Sequence, residues 1–461
     1  MMEMSNISTT YFIGIGGIGM SAIARYFVAH GKVVAGYDRT ETPLTRTLQE
    51  EGMDIHYEDN IQLLPSKIDL VVYTPAVPAS HGELLHLRAL GIPVMKRAEV
   101  LGLISNHQRS VGVAGTHGKT TTSVLLSHIL KTGGLDISAF LGGISVDYNT
   151  NCIIGKSDVV VLEADEYDRS FLHLRPYIAS VASMDPDHLD IYGDKDTMVT
   201  AYKSYASGIQ NGGKLIIREN LKHAFSADEL DDLREKNIQC ITFGQDAGDV
   251  RIENIHAAGG KFVFDYKGPG GHFANLNLSL PGRHNVENAA VAITIALLLG
   301  VEESAIRTAL SGFKGIKRRF ERIVDSGDVV YIDDYAHHPS ELEAAIDAAR
   351  TLYPGRRITG IFQPHLFSRT RDFAEGFAAA LDKLDEVILM DIYPARELPI
   401  EGVDAGIIFN KMKNNHKQWL PGKQILKAVQ DLHPEVLMTL GAGDIDLLIP
   451  ELKEMLMHSS I

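Results

Sequence analysis

The stretch SVGVAGTHGKTTTSVLLSHIL (110–130) has the residue types and spacing that handle phosphate. Its first residues read as an apolar strand, and the residues after Lys119 have the apolar spacing of a helix. Between them lie Gly115, Thr116, His117, Gly118, Lys119, Thr120 and Thr121. In a strand–glycine loop–helix of this kind, backbone N–H groups and the helix N-terminus surround a β-phosphate. The lysine reaches the β/γ oxygens and the following hydroxyl serves Mg²⁺. The strict pattern G-x-x-x-x-G-K-[ST] is not met, because Val113 stands where its first glycine belongs. A glycine-rich turn that merely contains GKT is the plain alternative, but the flanking strand and helix favour a loop that binds a nucleoside triphosphate.

Carboxylates and histidines gather at the predicted ends of neighbouring strands. SDVVVLEADEYD ends in Glu163, Asp165 and Glu166, and YIASVAS leads to Asp187, His188 and Asp190. Beside a phosphate loop such a donor set suits Mg²⁺, with Mn²⁺ as the alternative, held partly by substrate phosphates. Taken singly His188 reads more often as a capping or hydrogen-bonded loop histidine than as a ligand, and the phosphate loop and Glu163 beside it favour the ligand. Further on, His284 to Asn288 opens an apolar helix where a base could lie, or where Asn285 simply caps it. YIDDYAHHPSE (331–341) and FQPHLFSRTRDF (362–373) follow strands in the same manner. Arg369 and Arg371 suit a carboxylate or phosphate, or else form a solvated helix face.

A second glycine loop lies near the N-terminus. In YFIGIGGIGMSAIARYFVAHGKVVAGYD (11–38) a strand enters Gly14-x-Gly16-x-x-Gly19, a helix follows, and a second strand ends on Asp38. This is the geometry of a diphosphate cradle, whether the ligand is a dinucleotide or another nucleoside diphosphate.

The elements that must position these residues alternate. Strand-like runs at 11–15, 33–37, 69–73, 110–114, 158–163, 178–182, 214–217, 329–333, 357–362, 386–390 and 435–440 are interleaved with helical patterns such as 340–352 and 370–384. That alternation predicts an α/β class with largely parallel sheets. Residues 220–275 read as a small antiparallel excursion. Breaks near 105–109 and 311–320 divide the chain into 1–107, 108–315 and 316–461. At 461 residues several domains are expected. The net charge of −15 argues against a nucleic-acid partner, and no run of about 18 apolar residues predicts membrane insertion. Cys152 and Cys240 have no metal-type spacing, and the N-terminus has no signal-peptide pattern. A cytoplasmic enzyme is the expectation.

Taken in order, GIGGIGMS, AGTHGKTTT, LEADEYDRSFLHL, DPDHLD, GRHNVENA, RRFE, DDYAHHP and FQPHLFSRT resemble the Mur ligases of peptidoglycan synthesis over essentially the whole chain. The resemblance implies a Rossmann-like N-terminal domain for a UDP-sugar, a central P-loop-type ATPase domain and a Rossmann-like C-terminal domain. It implies ATP-dependent ligation of L-alanine to the lactyl carboxylate of UDP-N-acetylmuramate, through an acyl phosphate and a tetrahedral intermediate. The alternative substrate is the tripeptide L-Ala-γ-D-Glu-diaminopimelate, and a monomer or weak homodimer is expected. By motif position Lys119 and Thr120 would handle the β/γ-phosphates and a first Mg²⁺, and Glu163 and His188 a second metal. His284 and Asn288 match adenine-side positions, and Arg319 and Asp334 match positions that close over ATP. Tyr335, His337 and Arg369 fall where the amino acid enters. Gly16, Gly17, Ile18 and Gly19 match the uridine-diphosphate loop, with Asp38 at the nucleoside. Ser183 and Leu366 depart from the family pattern, and Lys203 has the spacing of a carbamylated lysine used by other members.

Overall fold

Strand–helix alternation in the first hundred residues produces a five-stranded sheet. The computed structural model describes residues 4–458 apart from 75–76, 107, 187–188, 246, 259 and 396. The strand order is Asp54–His56, Val33–Tyr37, Thr9–Ile13, Leu70–Tyr73 and Val94–Lys96, every pair parallel. The order reverses at Thr9–Ile13, so the glycine turn that follows it opens at the crevice where such sheets bind ligands. Two of these strands have only three residues and show no sequence alternation.

The central sheet has ten strands, and Arg109–Ala114 lies well inside it. From Ala114 the chain passes through the loop into the helix Lys119–Thr132. It then lays Ser138–Ser145, Thr150–Ile153 and Val159–Glu163 on one side. It returns with Ile178–Val181 on the other side of Arg109–Ala114. The carboxyl ends of 109–114, 159–163 and 178–181 therefore converge around one loop. That is why a carboxylate at the end of one strand meets a lysine 44 positions earlier (163 − 119). Of the excursion anticipated at 220–275 only the second half is antiparallel, as Val250–Ala258, Lys261–Gly268 and Gly271–Leu278, while the first half holds the helix Ala227–Glu235 and the strand Gln239–Gly244, whose pairs are parallel. The helices Lys119–Thr132 and Arg283–Leu298 cover one face of the sheet with a continuous apolar core.

The third sheet runs Glu321–Asp325, Val330–Asp334, Val436–Leu440, Ile358–Phe362, Glu386–Leu389 and Lys417–Trp419. All its pairs are parallel except the first. Its two faces have their own apolar clusters. By contrast the N-terminal and central units share one cluster, where Tyr26 packs on Phe140 with ring centroids 5.6 Å apart. The third unit meets the central one chiefly through polar contacts. Lys317 donates its backbone N–H to Ile144 at 2.9 Å and its ammonium to Asn149 at 2.9 Å, and Arg322 donates to the Gly260 carbonyl. A polar seam is easier to open than an apolar one. Among the described residues no helix is long and apolar enough to cross a membrane.

Phe140→Ala should cut the apolar seam, costing about 3–5 kcal/mol. Differential scanning calorimetry should show the first thermal transition lowered, with the transition of the third unit unmoved.

Candidate active site

Gly115 and Gly118 carry φ of 140° and 81°, a conformation that side chains resist, so the loop can fold tightly ahead of the helix. A Cβ at Gly118 would also lie 2.4 Å from the Asn288 amide oxygen. Thr116 and Ser183 brace the loop. The Ser183 hydroxyl lies 2.9 Å from that of Thr116 and accepts the His117 N–H at 2.9 Å. The departure noted at Ser183 is thus filled by a hydroxyl that bonds the loop directly.

Lys119 donates to the Gly115 carbonyl at 2.9 Å and to Glu166 at 2.8 Å. Burial works against its charge, but Glu166, Asp165 and Glu163 outweigh it and hold its pKa above the usual lysine value. Glu163 accepts from the Thr120 hydroxyl at 3.0 Å and from the Gly142 N–H at 2.8 Å. Burial pushes Glu163 up, Lys119 pulls it down, and Asp165 adds repulsion. A half-buried carboxylate raised in this way, next to a hydroxyl and a phosphate loop, has the chemistry to hold a hard divalent cation. His188, expected as its partner, and Asp187 lie outside the described residues.

A cavity of about 390 Å³ extends from the loop between the central and C-terminal units, walled by Gly118, Thr121, His284, Asn288, Arg319 and Asp334. The His284 side chain is open to the cavity, and desolvation by the protein packed around it lowers its pKa to about 4, so the ring is a neutral hydrogen-bonding group at ordinary pH. Asp334 gives one oxygen to the Phe320 N–H at 2.7 Å and the other to the Ala336 N–H at 2.8 Å. It therefore fixes the backbone on both sides of the site, and burial raises its pKa to about 6. Arg318 is tied to Asp333 and the Gly441 carbonyl, which leaves Arg319 as the arginine of this pair that walls the cavity.

Glu341 was not anticipated. Its carboxylate lies 3.7 Å from His117 of the phosphate loop, 3.9 Å from Arg319 and 3.3 Å from His337. Burial opposes its charge, but His337, the hydrogen bond with His117 and Arg319 prevail, leaving its pKa well below the ordinary value. Arg218 and Glu287, an ion pair on the cavity wall, were also missed. Glu287 and Glu341 lie inside quoted stretches without being singled out and Arg218 in none, because their contacts join distant parts of the chain. Arg371 does not face the site: it is exposed and pairs with the adjacent Asp372, so its helix face is the solvated one. Lys203 pairs with Glu229 at 3.1 Å. Cys152 is buried, its thiol pushed up to about 12.

A separate cavity of about 890 Å³ lies over the N-terminal glycine loop. Gly14, Gly17, Ile18 and Gly19 line it, and Arg97 reaches its wall beside Gly19, where an added Cβ would come within 2.9 Å of the guanidinium. Asp38 lines it too, but one carboxylate oxygen accepts the Gly16 N–H at 2.7 Å. It therefore holds the turn with one oxygen while lining the cavity. Arg97 and His81, both on this wall, escaped the sequence reading because neither sits in a glycine motif. A third cavity of about 360 Å³, the phosphate cavity, lies directly on the Thr116–Thr121 loop with Glu163 and Glu166 in its wall, and Gly142 belongs to the walls of both it and the N-terminal cavity.

Family models match all three units: Mur ligase family, catalytic domain at residues 9–109, Mur ligase middle domain at 113–296, and Mur ligase, glutamate ligase domain at 318–451. The chain is 47% identical over 459 residues to the UDP-N-acetylmuramate–L-alanine ligase of Flavobacterium johnsoniae, covering 99% of each. Among solved structures it is similar to UDP-N-acetylmuramate-alanine ligase MurC from Thermotoga maritima, with 27% identity and a TM-score of 0.77 over 98% of this chain and 99% of that one. A murein peptide ligase from Psychrobacter arcticus gives 25% identity and a TM-score of 0.63, over 96% and 98%.

Gly142→Ala places a methyl group 2.3 Å from a Glu163 oxygen, in the wall common to both cavities. ATP turnover should fall at least about tenfold, with circular dichroism unchanged.

Proposed function

The chain belongs to the Mur ligase family, and from that premise we propose that it joins L-alanine to the lactyl carboxylate of UDP-N-acetylmuramate at the expense of ATP. The observation that carries this reading is the wall at Gly142. A sugar nucleotide seated on the N-terminal glycine loop and a triphosphate seated on Gly115–Thr121 would meet there, acceptor carboxylate to γ-phosphate. A carboxylate is a poor electrophile, so activation as an acyl phosphate has to precede attack by an amine.

On this reading residues 1–107 hold the UDP-sugar, 108–315 the ATP, and 316–461 the amino acid and the closing face over ATP. Arg97 and the Gly17–Gly19 turn face the diphosphate. Lys119 neutralises the β/γ-phosphate oxygens as charge builds during transfer. Thr120 and Glu163 would hold Mg²⁺, which supplies further charge neutralisation to the phosphoryl oxygens. His284 and Asn288 meet the base, and Arg319 approaches the polyphosphate from the C-terminal side. Arg369 takes the carboxylate of the amino acid by the bidentate geometry that arginine offers. A tripeptide acceptor of the kind suggested by the murein peptide ligase likeness is the second reading, and the full-length identity to L-alanine ligases favours the first.

Phosphate release should require ATP, UDP-N-acetylmuramate and L-alanine together. Turnover with L-Ala-γ-D-Glu-diaminopimelate and none with L-alanine would reassign the acceptor. Lys119→Ala should lower kcat by at least about 10³-fold, and an unchanged kcat would refute its role.

A further inference from the structure

An α-amino acid reaches an enzyme at neutral pH as an ammonium, which has no lone pair with which to attack. Something in the site must take its proton. His337 lies on the wall of the phosphate cavity with Lys119, Glu163 and Arg319. Its Nδ1 is 3.0 Å from the Tyr335 carbonyl oxygen and 3.3 Å from a Glu341 carboxylate oxygen. A carbonyl oxygen can only accept, so Nδ1 must carry the hydrogen, and that hydrogen also faces the Glu341 carboxylate. The lone pair of the neutral ring then sits on Nε2. Glu341 is itself pinned by the His337 backbone N–H at 3.1 Å, so carboxylate and ring are held as one unit.

Resting on the ligase reading above, we propose that His337 Nε2 is the base that removes a proton from the ammonium of the incoming amino acid, and that Glu341 is the positioning residue that fixes the tautomer and orientation of the ring. The proton passes from nitrogen to Nε2, and the freed electron pair forms the C–N bond to the acyl phosphate carbon. Phosphate departs with the C–O bonding pair, and the second proton on nitrogen leaves with phosphate to solvent. Arg369 lies close enough for its charge to act on His337. A guanidinium that holds the carboxylate of an α-amino acid presents the amine, two bonds away, to an adjacent ring.

The groups facing His337 decide whether it is neutral when needed. Burial disfavours the imidazolium, Glu341 favours it, and Arg369 and Arg319 oppose it, with the net pKa below the ordinary histidine value. The rings of Tyr335 and His365 pack edge-on against it at 5.4 and 6.1 Å. The acid limb of kcat/KM for L-alanine should therefore lie below about pH 6.5, rising with pH as His337 loses its proton.

Hydroxylamine separates this role from a structural one, because it is unprotonated at neutral pH and intercepts an acyl phosphate as a hydroxamate without help from a base. In His337→Asn, ligation of L-alanine should fall by about 10²-fold or more. Hydroxamate formation from UDP-N-acetylmuramate and ATP should stay within about twofold of the parent. Loss of both reactions together, or retention of L-alanine ligation, overturns the proposal. In Glu341→Gln, which preserves shape and removes the charge that favours the imidazolium, the acid limb should move to lower pH, and a limb that stays in place likewise overturns it. Failure of the parent protein to make any hydroxamate would instead sink the ligase reading on which the proposal rests.

Discussion

Keeping one ammonium charged where water is scarce is the constraint on which the site depends. Lys119 is nearly enclosed at the base of the phosphate loop, and a lone buried ammonium would lose its proton. Three carboxylates from the end of the strand Val159–Glu163 and the turn after it prevent that loss. Their positions follow from topology: the strand lies directly beside Arg109–Ala114, so its carboxyl end opens beside the loop. In return, Glu163 is left half-buried and raised in pKa, in want of more positive charge. Lysine, loop and carboxylate therefore form one electrostatic unit that a triphosphate with its cation would complete.

The same economy of charge organises the C-terminal side. Asp334 orders the backbone at Phe320 and Ala336, and so sets where Arg319 and the Tyr335–His337 segment stand. Glu341 then links His117, Arg319 and His337 across the polar seam. Because the apolar clusters on the two sides of that seam share, among the described residues, only the half-buried Leu352, the contacts that assemble the site are also those that can release it. The N-terminal and central units, joined through Tyr26 and Phe140, present their two cavities to each other in a fixed relation.

Much of the fold was legible because parallel α/β sheets announce themselves as short apolar runs interleaved with helices. The three-residue strands Asp54–His56, Val94–Lys96 and Lys417–Trp419 were not, since so few residues show no period. The phosphate loops were legible because strand, glycines and helix are contiguous. Arg97, Arg218, Glu287 and Glu341 were not, because their meaning lies in contacts between separate elements. Arg371 shows the converse error: its type and spacing suggested a ligand contact, but it finds a carboxylate on its neighbour. Asp38 both lines the N-terminal cavity and bonds the glycine turn at Gly16. A motif reports which backbone geometry is present; which side chains then face the ligand depends on packing that pattern alone does not encode.

The central claim is that the two cavities meeting at Gly142 bring the sugar-nucleotide carboxylate to the γ-phosphate. Isotope transfer tests it most directly. With UDP-N-acetylmuramate labelled with ¹⁸O in its lactyl carboxylate, one labelled oxygen should appear in the inorganic phosphate formed during ligation of L-alanine. Phosphate free of label, with the oxygen displaced from the carboxylate recovered in water instead, would contradict the account.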